Sequence, residues 1–171
     1  SAAEHSLKSN LNSAFTFDSF VEGKSNQLAL AAAQQVAENP GGSYNPLFIY
    51  GKTGHGKTHL IQAVGNQIKR TGKKVFYVTS ERFAVDYFNS LQTGTANNFK
   101  DKYRQYDVLI MDDVQFLADK EKTQEELFHL FNDAGFGKTR WRLGEMLVRG
   151  HFFNIDRITF IKRRQDFITI I

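Results

Sequence analysis

Gly51-Lys52-Thr53-Gly54-His55-Gly56-Lys57-Thr58 satisfies the pattern G-x-x-x-x-G-K-[ST] at every fixed position. Its flanks suit the pattern. Leu47-Phe48-Ile49-Tyr50, set off by Pro46, is a short apolar run that predicts a buried strand. Leu60, Ala63, Val64 and Ile68 recur at helical spacing between His59 and Arg70. Strand, glycine loop and helix start are the context the motif requires. The plain alternative is a glycine-rich turn before an ordinary helix, which has no need of all the fixed positions at once.

A triphosphate needs many donors converging on a small volume. Backbone N–H groups of a glycine loop supply them without side-chain bulk, and the positive end of the helix dipole adds to the field. The nucleotide-binding set read from this stretch is Gly51, Thr53, Gly54, His55, Gly56, Lys57, Thr58 and His59. Lys57 is expected to reach the β- and γ-phosphates of ATP, and the Thr58 hydroxyl to ligate Mg²⁺.

A second stretch completes the chemistry. Val108-Leu109-Ile110-Met111 is an apolar strand that delivers Asp112-Asp113 at its carboxyl end, 55 residues after Lys57. Asp112 is expected to hold the Mg²⁺ shell and Asp113 to orient and polarise the attacking water. Four apolar residues before an aspartate are common, and the spacing within an alternating β/α chain is what gives the pattern weight.

At 171 residues, 41% of them hydrophobic and 23% charged, the chain fits one soluble domain with a real core. No apolar run approaches the ~20 residues of a membrane span, and the first twenty residues contain no signal-peptide core. The absence of cysteine excludes disulfides and thiol catalysis and is compatible with a cytoplasmic location. The first residue is Ser1 rather than methionine, which reads as a processed or partial chain. The net charge of +4 is no guide to DNA binding: residues 1–132 carry 14 basic and 14 acidic side chains, whereas residues 133–171 carry 8 and 4.

In chain order, residues 1–12 read as a linker remnant. Ser25 is expected to cap an alanine-rich helix ending near Glu38, which Asn39-Pro40-Gly41-Gly42 stops. Gly72 marks the end of the helix after the phosphate loop, and Lys74 to Thr79 predicts a strand. Ser80 is expected to cap a helix to about Leu91, with another near Asn98–Tyr103. Thr123 and Glu126 have capping-box spacing at the start of a helix to Phe131.

Five strings carry a closer resemblance. Phe15-Thr16-Phe17-Asp18-Ser19-Phe20-Val21-Glu22-Gly23-Lys24-Ser25-Asn26, Asn45–Gly51, Gly56–Leu60, Ser80-Glu81-Arg82-Phe83 and Asp112-Asp113-Val114-Gln115-Phe116 resemble the DnaA family of bacterial chromosomal replication initiators. The likeness covers residues 13–132. It implies an α/β fold: a P-loop NTPase of the AAA+ type, a parallel sheet flanked by helices, incomplete at its C-terminal side. It also implies an ATP-binding core that assembles as a filament on origin DNA and promotes duplex opening. By position, Phe20 and Val21 would line the adenine site. The helices from Ser80 to Tyr103 correspond to the family's insertion that contacts single-stranded DNA, with Phe88 and Lys122 at its contact positions. As bare residues, a phenylalanine such as Phe88 is more often core and a lysine such as Lys122 more often a solvated helix side chain. A helicase-loader relative with the same loop is disfavoured by the length and the Ser-Glu-Arg-Phe start of that insertion.

Lys52 and His55 replace the family's usual glycine and aliphatic residue, outside the fixed positions. After Asn132 the family's sensor strand, arginine finger, helical lid and DNA-binding domain are not recognisable. Residues 133–171 read as a non-family tail from a shifted reading frame. Gly135-Phe136-Gly137-Lys138-Thr139 is half a second phosphate loop, failing at Asn132. Ile158–Ile161 and Phe167–Ile171 could form strands. They are expected to stay out of the nucleotide-binding sheet. The parallel strand it needs should follow the Thr123 helix closely, whereas Ile158–Ile161 comes more than twenty residues late and ends in Lys162-Arg163-Arg164. This leaves a fragment that binds ATP or ADP and hydrolyses negligibly. The alternative function is therefore a non-hydrolysing nucleotide-binding or oligomerisation module.

Overall fold

The computed structural model describes residues 8–39, 47–50, 56–113, 116, 155–161 and 168–169, with the strands at 47–50, 155–161 and 168–169 described by their backbone. In chain order the elements are α1 (Gln27–Glu38), β1 (Leu47–Tyr50), α2 (Lys57–Arg70), β2 (Val75–Thr79), α3 (Ser80–Gln92), α4 (Ala96–Arg104), β3 (Val108–Asp112), β4 (Ile155–Ile161) and β5 (Ile168–Thr169). The strands form one sheet in the order β2-β3-β4-β1-β5. β2 pairs parallel with β3, and β1 pairs parallel with β5, while β4 runs antiparallel to both β3 and β1.

Strand alternation divides the packing between two faces. Val75, Val108 and Ile110 belong to a core with Leu30, Ala33 and Val36 of α1 and Leu60, Ile61, Val64 and Ile68 of α2. The alternate residue Phe76 stacks on Tyr106, with ring centroids 4.9 Å apart, and meets Tyr103 edge-on at 5.6 Å. Phe83 of α3 and Phe99 of α4 extend this aromatic layer through Tyr103. Burial raises the pKa of the Tyr103 phenol, so it stays neutral throughout the physiological range. α2 lies close to β3: a Cβ at Gly65 would stand 2.6 Å from Cδ1 of Ile110 and 2.9 Å from a Leu11 methyl. Glycine is what permits that approach.

Three local expectations change. α1 begins after Asn26 rather than Ser25, and Asn26 makes no helix-capping bond. Its amide instead closes the preceding turn, accepting from Gly23 N at 2.9 Å and donating to Val21 O at 3.1 Å. Thr79, not Ser80, caps α3 by accepting from Arg82 N, because the Ser80 hydroxyl donates to the Asp113 carbonyl at 2.6 Å. Finally, residues 8–12 of the expected linker are pinned. Ser9 O accepts from Tyr77 N on the edge strand β2 at 2.8 Å, Lys8 O accepts from the Tyr106 hydroxyl at 2.7 Å, and buried Gln62 accepts from Asn12 N at 2.7 Å. The expected helix over Thr123–Phe131 lies outside the described residues.

The largest correction concerns the tail. Ile158–Ile161 and Phe167–Ile171 were expected to remain outside the sheet, yet β4, which contains the first, fills the gap between β1 and β3, and Ile168–Thr169 of the second pairs with β1 as β5. The β4 register sets Ile161 against Val108 and Arg157 against Asp112 on one side, and Thr159 against Leu47 on the other. Without β4, β1 and β3 would each carry an unpaired row of backbone groups beside a fully buried strand. The β-branched and aromatic residues of Ile155–Ile161 suit that place. The expectation of exclusion presumed a parallel strand reached by a prompt crossover. An antiparallel strand enters at the end where β3 leaves, whatever the connection between them.

Candidate functional site

The described part of the phosphate loop begins at Gly56, which has φ +79 and sits at the N-cap of α2. A Cβ there would lie 3.0 Å from the ring of Phe20, so both backbone and space call for glycine. Lys57 opens the helix and is buried, with 8% exposure. The first turn of α2 contains no acidic residue of its own. Gly51, Thr53, Gly54 and His55 lie outside the described residues.

The acids at the end of β3 have different surroundings. Asp112 is 2% exposed. Its Oδ2 accepts from the Tyr77 hydroxyl at 2.6 Å and from Thr58 Oγ1 at 3.1 Å, and its Oδ1 from Asp113 N at 2.9 Å. A carboxylate taken from water needs donors of this kind, and these three are neutral. Asp113 is exposed and adopts φ +55, a left-handed conformation that aspartate tolerates better than most residues. The Ser80 hydroxyl and Phe116 N, at 2.6 and 3.0 Å, both donate to its carbonyl. One acid is thus held inside against α2 and the other is presented outward.

The segment before α1 packs beside this site. His59 Nε2 donates to Thr16 O at 2.8 Å and lies 3.2 Å from Ser19 Oγ. Phe15 stacks on its imidazole at 4.9 Å, and Phe20 meets it edge-on at 5.4 Å. The His59 side chain therefore ties residues 15–20 to α2. Phe20 is half-buried next to Gly56, whereas Val21 is 84% exposed. Phe88 is 42% exposed on α3, which removes its reading as a core residue. Lys122 lies outside the described residues.

The structure therefore brings together Gly56, Lys57, Thr58, Asp112 and Asp113, with Phe20 and His59 alongside. Sequence reading missed Tyr77; its only signal is a phenol within the apolar stretch Val75–Val78, two positions from the strand end. Thr58 and Asp112 offer oxygen donors only, the chemistry of a hard divalent cation. Among the described residues no group of three or more His, Cys, Asp or Glu forms a metal cluster. A pair of protein oxygens is in keeping with Mg²⁺, which keeps several waters and binds substrate phosphate. No helix among the described residues is long and apolar enough to cross a membrane.

Residues 11–140 match the family described as the bacterial DnaA ATPase domain. Domain III from the Thermotoga maritima replication initiation protein DnaA is 48% identical over a match covering 72% of this chain and 52% of that one, with a TM-score of 0.68. The structure of AMPPCP-bound DnaA from Aquifex aeolicus is 46% identical, covering 72% of this chain and 39% of that one, also with a TM-score of 0.68. The same values hold for a replication initiator DnaA bound to AMPPCP and single-stranded DNA. The chain spans 39% to 52% of the length of these three structures.

Proposed function

The chain belongs to the bacterial DnaA ATPase-domain family, and we propose from that membership that it is the ATP-binding core of a chromosomal replication initiator. The observation that carries this reading is the 3.1 Å contact between Thr58 Oγ1 and Asp112 Oδ2. It joins the first turn of the phosphate-loop helix to the acid at the end of the neighbouring apolar strand. Gly51, Thr53, Gly54, His55 and Gly56 cradle the phosphates through backbone N–H groups, and Lys57 supplies the cation for the β- and γ-phosphates. Phe20 and Val21 flank the adenine, and His59 holds the Phe20 segment against α2. Thr58 and Asp112 hold Mg²⁺, which when bound neutralises phosphate charge. Asp113, exposed beside them, orients the attacking water.

Assembly on origin DNA, filament formation, duplex opening and a cytoplasmic location belong to the same proposal. A relative bound to AMPPCP and single-stranded DNA supports the nucleic-acid part. Phe88 and Lys122 are its contact residues, an exposed apolar ring for stacking and a cation for phosphate.

The sense of β4 favours a second reading for hydrolysis. The family's sensor strand delivers a polar residue at its carboxyl end, but β4 turns its amino end, Ile155 to Arg157, toward Tyr50 and Asp112. β4, which lies beyond the matched residues 11–140, fills the sheet without supplying that sensor. The chain then binds ATP and ADP and hydrolyses negligibly. Isothermal titration of ATP tests the binding reading: Lys57→Ala should weaken affinity by about 10- to 100-fold, the loss of a charge-assisted bond. Equal affinities for both proteins would overturn the assignment of Gly51–Thr58.

A further inference from the structure

We propose that Tyr77 is a positioning residue for the metal-holding carboxylate, its phenol fixing the orientation in which Asp112 meets the cation. The inference rests on the assignment of Asp112 to Mg²⁺ given above. β2 and β3 are parallel neighbours with Thr79 opposite Asp112 and Tyr77 opposite Ile110. Tyr77 and Asp112 are therefore diagonal partners on one face, a separation that an aromatic side chain spans. The phenol closes to 2.6 Å from Asp112 Oδ2. A carboxylate can only accept, so the hydroxyl is the donor.

Among the described residues this carboxylate is met by β2 through Tyr77, by α2 through Thr58, and by the chain's own turn through Asp113 N. Thr58 is itself assigned to the metal, and Asp113 N holds Oδ1. Of the two side-chain donors described on Oδ2, Tyr77 is the one with no metal-binding duty of its own. Its backbone is anchored too, because Tyr77 N donates to Ser9 O at 2.8 Å. Partners of this kind orient a ligand oxygen and tune its affinity, and removing one commonly weakens metal binding. The ring packs against the core of α1 and α2, so Tyr77→Phe removes the donor while keeping that packing.

The test uses the intact chain as wild type, Tyr77→Phe, Asp112→Asn and the double variant. ATP binding is measured by calorimetry in EDTA and across a Mg²⁺ series, with thermal unfolding alongside. Tyr77→Phe should bind ATP in EDTA as wild type does, but require about tenfold more Mg²⁺ for half its Mg²⁺-dependent gain. It should have no further effect in the Asp112→Asn background. An unchanged Mg²⁺ requirement would overturn the inference while leaving the nucleotide-site reading intact. So would an equal loss in EDTA, an equal loss in the Asp112→Asn background, or a Tyr77→Phe chain that no longer folds, since each assigns the hydroxyl to something other than the metal ligand. A wild-type chain that binds no nucleotide would remove both readings together.

Discussion

Thr58 and Asp112, 54 residues apart, meet through a hydrogen bond of 3.1 Å that joins the first turn of α2 to the last residue of β3. Around it, burial separates the two adjacent acids: Asp112 is 2% exposed, while Asp113 is exposed with φ +55. The following outcomes are expected.

Asp112→Asn should weaken ATP binding in the presence of Mg²⁺ more than in its absence, because a neutral amide is a poor ligand for a hard cation. Asp113→Asn should spare binding and reduce whatever hydrolysis exists. Calorimetry with and without Mg²⁺, together with phosphate release, separates the two. Identical effects of both changes on binding would show that the division of roles is wrong.

Gly56→Ala should reduce both stability and nucleotide affinity. The left-handed backbone costs a non-glycine residue about 1–2 kcal/mol, and the new methyl would stand 3.0 Å from the Phe20 ring. Urea unfolding reads the first effect and ATP titration the second. A variant as stable as wild type would mean that neither constraint operates in solution.

Phe88→Ala and Lys122→Ala should weaken binding of single-stranded DNA when this segment is placed in an intact initiator, with ATP affinity unchanged. Because Phe88 is 42% exposed, its truncation should leave unfolding nearly unaffected. Lys122→Ala should also lower the slope of log affinity against log salt by about 0.7, the value for one phosphate contact on a single strand. An unchanged slope would return Lys122 to the role of a solvated lysine.

Thr159→Pro should lower the urea midpoint, since residue 159 pairs with Ile110 on one side and Leu47 on the other, and proline cannot donate to a ladder. Phosphate release from the unmutated chain should stay at background. A midpoint untouched by the substitution would mean that the tail does not hold the sheet together. Substantial ATP turnover would mean that the sheet centre needs no parallel sensor strand.

The sequence alone determined the local features of the candidate nucleotide site. An apolar run leading to a glycine loop, a Lys-Thr pair opening an amphipathic helix, and an apolar strand ending in two acids are all set by neighbours in the chain, where periodicity and motif spacing report directly. Helix ends were less legible. Whether Ser80 capped α3 depended on the Asp113 carbonyl 33 residues away, which took its hydroxyl and left the cap to Thr79. Tyr77 was invisible as a site residue for the same reason, because its role exists only through the parallel register of β2 on β3. Only the tertiary structure decided the placing of residues 155–161. A strand's preference for pairing can be read from its composition, but its partners and direction cannot. Those follow from the open edges that β1 and β3 present, and an antiparallel segment can satisfy their backbone groups as well as a parallel one.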